Sequence, residues 1–320
     1  MVHRDEIEEL RSGLTKGNVR ALSRAITLVE SQRKEDQDGK VQLLRSIQNM
    51  RVPSVKIGIT GSPGVGKSTF INACVSRLGG SSHRIAVLTI DPSSKKSGGS
   101  ILGDKLRMTD LVHMEEVYVR PSPSKGVLGG INLTTWETIQ LCEAAGYDFI
   151  FVETVGIGQS ELEVKYLVNE VWYLTMARSG DEIQGIKRGI LEVVDRVIVT
   201  KSDIDPHGSR RTAAMLQQTV RSIHPEDNKV EFYEVSALNT ESLNSLMSDL
   251  LQTSAQPLSQ NQQRFWFDRA WQEAFLTFLE SNPAMKDMYH KKMLEVESGQ
   301  TDHWSAIDSL KTELQRIWSR

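Results

Sequence analysis

The chain has 320 residues, a net charge of −3 and 25% charged residues, a length that allows one large domain with appendages or two domains. The balance excludes a protein whose main task is binding nucleic-acid phosphates, and no apolar run approaches the about 20 residues that cross a bilayer. Cys74 and Cys142, the two cysteines, lie far apart without metal-ligand spacing, which fits core residues in a reducing compartment.

Residues 4–50 read as helices. Ile7, Leu10 and Leu14 are helix-spaced, and Leu22, Ile26 and Leu28 with Val29 share one broad face. The first residues are acidic and amphipathic, with neither the apolar core of a signal peptide nor the Arg/Ser-rich character of a transit peptide, so a cytoplasmic protein is expected. From residue 51 the pattern changes to β-rich runs separated by helical segments: VKIGIT, RIAVLTID, DFIFVET, VWYLTM, RVIVTKSD and VEFYEVSA. This alternation predicts an α/β fold with a doubly wound, mostly parallel sheet whose ligands sit beyond the carboxyl ends of the strands. The polar stretch 251–263, which contains Pro257, reads as a linker. Beyond it Phe265, Trp266, Ala270, Trp271, Phe275, Phe278 and Leu279 form a wide apolar helical face, suited either to packing on its own domain or to a subunit interface. The expected division is an N-terminal helical arm over 1–50, a nucleotide domain over 51–256 and a C-terminal helical arm over 257–320.

VKIGIT, GSPGVGKST and FINACVSRL supply strand, loop and helix in the order that a phosphate-binding loop (P-loop) requires. The loop comprises Gly61, Ser62, Pro63, Gly64, Val65, Gly66, Lys67, Ser68 and Thr69. Its glycines let the backbone aim N–H groups at phosphate oxygens, Lys67 reaches the β and γ phosphates, and Ser68 ligates Mg2+. Two strands end in carboxylates, Asp91 and Glu153, beside this loop, and Asp104 follows in a Gly-rich segment. A strand-end carboxylate also serves as a turn or helix cap, but two of them beside a phosphate loop favour the metal.

TKSD, residues 200–203, resembles the guanine-reading motif NKxD with Thr200 in the place of Asn. A carboxylate at Asp203 accepts two hydrogen bonds from the ring N–H and the amino group of guanine, a donor pair that adenine lacks. The later VSAL turn, with Ser236, Ala237 and Leu238, is placed to offer a backbone N–H to the guanine carbonyl. GTP and GDP are therefore the expected nucleotides.

With GSPGVGKST, DPSSKKSGGSILGDKLRM, ETVGIGQSE, GDEIQGIKRGI and VTKSD, the chain resembles the MeaB/ArgK family of metallocofactor-delivery P-loop GTPases from about residue 15 to its C-terminal helices. The resemblance implies a GTPase chaperone for adenosylcobalamin-dependent acyl-CoA mutases such as methylmalonyl-CoA mutase. Its members gate cofactor delivery, protect the mutase, and form homodimers through helical arms. By position, Asp91, Asp104 and Glu153 match acidic residues near the magnesium, and residues 155–161 match switch II. Residues 179–189 match a further switch segment in which Asp181, Gln184 and Lys187 relay the nucleotide state. Gln159 is a candidate for positioning the attacking water. Two departures from the family pattern stand out: Arg178 and Ser179 in the turn before the further switch, and the bulkier, more polar strand VNEVWYLTM upstream of it.

Two rivals use the same loop. A metabolite kinase needs an acceptor pocket and a lid and has no use for TKSD with SAL. A GTPase that inserts another metal calls for a His/Cys cluster, whereas the 7 histidines, His83, His113 and His207 among them, are scattered without an HxH pattern.

Overall fold

The computed structural model describes residues 4–79, 82–91, 111, 113–123, 132–154, 160–177, 188–223 and 229–318. Among these residues seven strands form one parallel sheet in the order β3-β2-β4-β1-β5-β6-β7. They are β1 (Val55–Gly61), β2 (Ile85–Asp91), β3 (Val117–Pro123), β4 (Phe149–Thr154), β5 (Glu170–Met176), β6 (Arg196–Thr200) and β7 (Glu231–Glu234). The sequence pattern marks six of them. β3 escapes it because Pro121 and Pro123 read as breakers. They are tolerated because β3, among the described residues, lies at the sheet edge and pairs only with β2, where a missing N–H breaks fewer ladder bonds.

Both faces of the sheet are covered. Val55, Ile57 and Ile59 of β1 share a core with Phe70, Ile71, Cys74 and Val75 of α4 (Lys67–Leu78). The alternate residues Lys56 and Thr60 are fully buried on the other face. There Lys56 Nζ donates to Glu143 Oε1 of α5 (Leu133–Ala144) at 2.8 Å, placing α5 opposite α4. The helices α1 (Arg4–Thr15), α2 (Val19–Glu30) and α3 (Gln37–Ser46) pack on α5. As the spacing predicts, α1 buries Ile7, Leu10 and Leu14, and α2 buries Leu22, Ile26, Leu28 and Val29. α2 starts at Asn18, whose side chain accepts from the backbone N–H groups of Arg20 and Ala21 and satisfies two of the helix's orphan donors. α6 (Pro206–Ile223) lies against β6 and β7. Leu246, Met247 and Leu250 of α7 (Asn244–Gln252) join the core under α4. Cys74 and Cys142 are both fully buried, and burial pushes their thiols far above the usual range, which makes them core residues.

The bulky strand β5 is explained by packing. Trp172 is fully buried, edge-on to Phe70 of α4 at 6.2 Å and to Phe151 of β4 at 6.5 Å. Its indole N–H donates to Glu170 at 2.7 Å, and Glu170 also pairs with Arg196 of β6 at 3.1 Å. The polar residue at the start of β5 thus satisfies the aromatic one.

The polar stretch after α7 is tied down within the first compact unit, Met1–Gln263. The carbonyl of Gln256 accepts from Lys56 Nζ at 3.0 Å and from the Asn169 side chain at 3.2 Å. The amide of Gln262, in the first turn of α8 (Gln260–Ser281), donates to the carbonyls of Lys165 at 2.6 Å and Val168 at 2.7 Å. The second unit, Arg264–Arg320, contains the rest of α8 with α9 (Pro283–Glu297) and α10 (His303–Trp318), and α9 packs on α10. It carries exposed Phe267, Trp271, Phe278, Tyr289, Leu294 and Trp304. No helix among the described residues is long and apolar enough to cross a membrane.

Candidate active site

β1 and β4 are neighbours at the centre of the sheet, and their carboxyl ends bring the phosphate loop beside Glu153. Gly61, Gly64 and Gly66 adopt positive φ values of 149°, 80° and 95°. At Gly61 no other residue fits, because a Cβ there would stand 2.2 Å from the Leu174 carbonyl of β5. α4 begins after Gly66 with no side-chain cap, so its first amides remain available to an anion. Lys67 is largely buried and reaches back along the loop to the carbonyls of Gly61 at 2.8 Å and Ser62 at 3.4 Å. Ser68, one residue on, donates from Oγ to Glu153 Oε1 at 3.0 Å. A hydroxyl and a carboxylate held this close are hard oxygen donors of the kind that Mg2+ selects.

The base loop interlocks with the phosphate loop. Thr200 Oγ1 lies 2.8 Å from the Val65 carbonyl and 3.0 Å from the Thr175 carbonyl at the end of β5. Lys201, at φ 56°, reaches the Gly64 carbonyl with Nζ at 3.0 Å. Successive residues of one loop therefore grip successive carbonyls of the other. The threonine that replaces asparagine in the motif keeps a donor aimed at the loop, a role that sequence reading missed. Its signal was the substitution itself, since a hydroxyl retains a proton to give.

A cavity of about 180 Å³ opens between the two loops, lined by Gly66, Thr69, Asp203, Ser236, Ala237 and Leu238 among others. Phe70, Lys201 and Ile204 also line it and were not anticipated from the motifs. In the turn after β7, Ser242 Oγ engages the Ser236 N–H at 2.8 Å and Ser236 Oγ takes the Leu238 N–H at 3.2 Å. Among the described residues the Ala237 N–H makes no hydrogen bond. It is thus the amide of this turn open to a ligand carbonyl.

Asp91 ends β2. Asp104, Gln159, Asp181, Gln184 and Lys187 lie outside the described residues. The one-turn helices that follow 155–159 and 178–187, Ser160–Glu163 and Arg188–Leu191, pack on each other. A Cβ at Gly189 would stand 3.4 Å from Leu162. The segment after Glu163 presses on β1, where a Cβ at Gly58 would stand 2.6 Å from Val164 and 3.1 Å from Val168. The absence of a side chain at Gly58 lets the side chains of Val164 and Val168, which follow the switch II candidate, pack directly on the strand that carries the phosphate loop.

Comparison with known proteins identifies the family and the fold. The family described as methylmalonyl-CoA mutase-associated GTPase MeaB matches residues 22–282. GTPase ArgK of Escherichia coli is 34% identical, covering 98% of each chain. The mitochondrial methylmalonic aciduria type A homolog of Mus musculus is 36% identical over 95% of this chain and 78% of its own length. A solved structure titled LAO/AO transport system kinase superposes with a TM-score of 0.69 at 28% identity, covering 98% of this chain and 99% of its own. The chain belongs to the MeaB family of mutase-associated proteins and is a P-loop GTPase.

Proposed function

We propose that this GTPase is a magnesium-dependent switch that gates adenosylcobalamin delivery to an acyl-CoA mutase and protects that mutase, acting as a cytoplasmic homodimer. The observation that carries the switch reading is the interlock of the two loops, Lys201 on the Gly64 carbonyl and Thr200 on the Val65 carbonyl. It couples recognition of the base to the geometry of the phosphates, and so favours a site that senses a whole guanine nucleotide. The family's association with methylmalonyl-CoA mutase supports the partner.

Ser68 and Glu153, with Asp91 at the end of β2, fit a magnesium ion by donor chemistry. When bound, the ion neutralises charge developing on the phosphate oxygens. Lys67 and the uncapped amides of α4 supply the protein's own share of that neutralisation. The three parts 1–50, 51–256 and 257–320 serve as helical arm, GTPase domain and dimerisation arm. The exposed aromatics of the second unit support the last role, since aromatic residues are enriched at subunit interfaces. Sedimentation showing only monomers at micromolar concentration removes the dimer from the proposal.

Asp203→Asn is expected to lower GTP affinity about a hundredfold or more, because the new NH2 faces the guanine amino group donor to donor and the hydrogen bond that remains loses its charged acceptor. The same change raises affinity for xanthosine triphosphate, whose carbonyl replaces the guanine amino group. Unchanged GTP affinity in a nucleotide titration rules out this base site. For the partner, the full chain is used as bait in native lysate with GTP and with GDP. Retention of a cobalamin-dependent mutase that differs between the two nucleotides is the expected result. Failure to retain one in either state, or transfer of phosphate to a small acceptor, overturns the chaperone reading.

A further inference from the structure

β2 carries a hydroxyl where a buried strand position needs none. Thr89 is 4% exposed, and its Oγ1 has no hydrogen-bond partner among the described residues. An unpaired buried hydroxyl destabilises the fold, whereas an apolar side chain of the same shape carries no such penalty. Its position supplies a reason for its presence. Thr89 is paired with Glu153 in the parallel β2–β4 ladder, so the two side chains leave the same face of the sheet. On the other side of β4, Ile59 is also paired with Glu153 and belongs to the core under α4. The shared face is therefore that of α4, on which Ser68 Oγ meets Glu153 Oε1. Thr89 also stands two residues before Asp91, where β2 ends.

We propose that Thr89 is a positioning residue for the divalent cation. Its hydroxyl makes no bond to Glu153 in this structure; with a cation held at the site it would donate to the neighbouring Glu153 carboxylate, fix its orientation and so raise the affinity of the site for the metal. This rests on the magnesium reading above and adds to it a residue that neither the phosphate-loop motif nor the strand-end acids mark. Thr89 touches no phosphate on this account. It acts through Glu153, as partners of metal ligands do when they fix a ligand's orientation.

The test uses the full chain with GDP bound and Mn2+ as the probe, with free Mn2+ read by electron paramagnetic resonance. Thr89→Val keeps the shape and removes the hydroxyl, Thr89→Ser keeps the hydroxyl, and Glu153→Gln is the control on the site itself. Thr89→Val is expected to weaken Mn2+ binding roughly tenfold, with Thr89→Ser within about twofold of wild type. Nucleotide-free, metal-free Thr89→Val is expected to melt at or above the wild-type temperature, since an unpaired buried hydroxyl has gone. If Thr89→Val does not fold, Thr89→Ala carries the same metal expectation. Wild-type Mn2+ affinity in the hydroxyl-free variant, alongside a loss in Glu153→Gln, overturns the role of Thr89 and leaves the metal site standing. Wild-type affinity in both overturns the metal site and this inference together.

Discussion

Lys67→Ala is expected to reduce GTP hydrolysis at least a hundredfold. Phosphoryl transfer asks little covalent chemistry of a protein, so catalysis rests on positioning and on stabilising charge at the γ phosphate. Removing one preorganised donor of this kind typically costs about 10²–10³ in rate. Lys67 opens α4 at the end of the phosphate loop, and its ammonium already lies along that loop, 2.8 Å from the Gly61 carbonyl. An alanine leaves the loop backbone in place and removes the only side chain in GSPGVGKST that carries a full positive charge. Lys67→Arg is not a conservative rescue, because the planar guanidinium fork does not fit where a compact ammonium threads along the loop. Phosphate release in single turnover, with circular dichroism to show an intact fold, measures the effect. Hydrolysis at the wild-type rate in Lys67→Ala removes Lys67 from the catalytic machinery.

Glu143→Gln is the change expected to cost most stability. Glu143 is nearly buried and stands between two cations, with Lys56 Nζ 2.8 Å from Oε1 and Arg51 Nε 3.3 Å from Oε2. Lys56 is fully buried, and its other contacts are the carbonyls of Ser54 and Gln256 at 3.0 Å each. Removing the carboxylate's charge leaves an ammonium uncompensated in the interior, a loss of about 3–5 kcal/mol where a buried pair is broken from one side. For a domain of this size that is a fall of about 10 °C in Tm. The double variant Lys56→Met with Glu143→Leu is expected to recover most of the loss, since an apolar pair of similar volume commonly replaces a buried ion pair without penalty. Thermal unfolding of the three proteins decides it. A Glu143→Gln protein that melts with the wild type shows that the pair is not holding α5, β1 and the connector together.

The same cluster explains why part of the fold was hard to read. α5 is buried along nearly its whole length, so it shows no one-sided apolar pattern. Its Glu137 and Glu143 look like solvent-facing residues in the sequence, yet they are taken by Lys40 at 2.8 Å, by Arg51 and by Lys56. Those partners lie about 90 residues away in the chain, beyond the reach of any local pattern. The N-terminal helices were legible because they bury one stripe each, with Leu10 and Leu14 inward and charged residues outward. β3 was missed for a different reason, since its prolines are acceptable only at an edge and edge status belongs to the whole sheet.

The candidate site divides along the same line. GSPGVGKST, TKSD and SAL are contiguous, and their chemistry depends on backbone turns and donor types that neighbouring residues dictate. The order of these motifs along the chain was enough to imply a guanine nucleotide and a P-loop fold. Tertiary structure alone decided that Thr200 and Lys201 hold Val65 and Gly64. It also decided that Thr89 shares a face with Glu153. Each of these depends on strand order and register, which bring residues tens to more than a hundred positions apart into one layer, and a sequence pattern carries no record of which strands become neighbours.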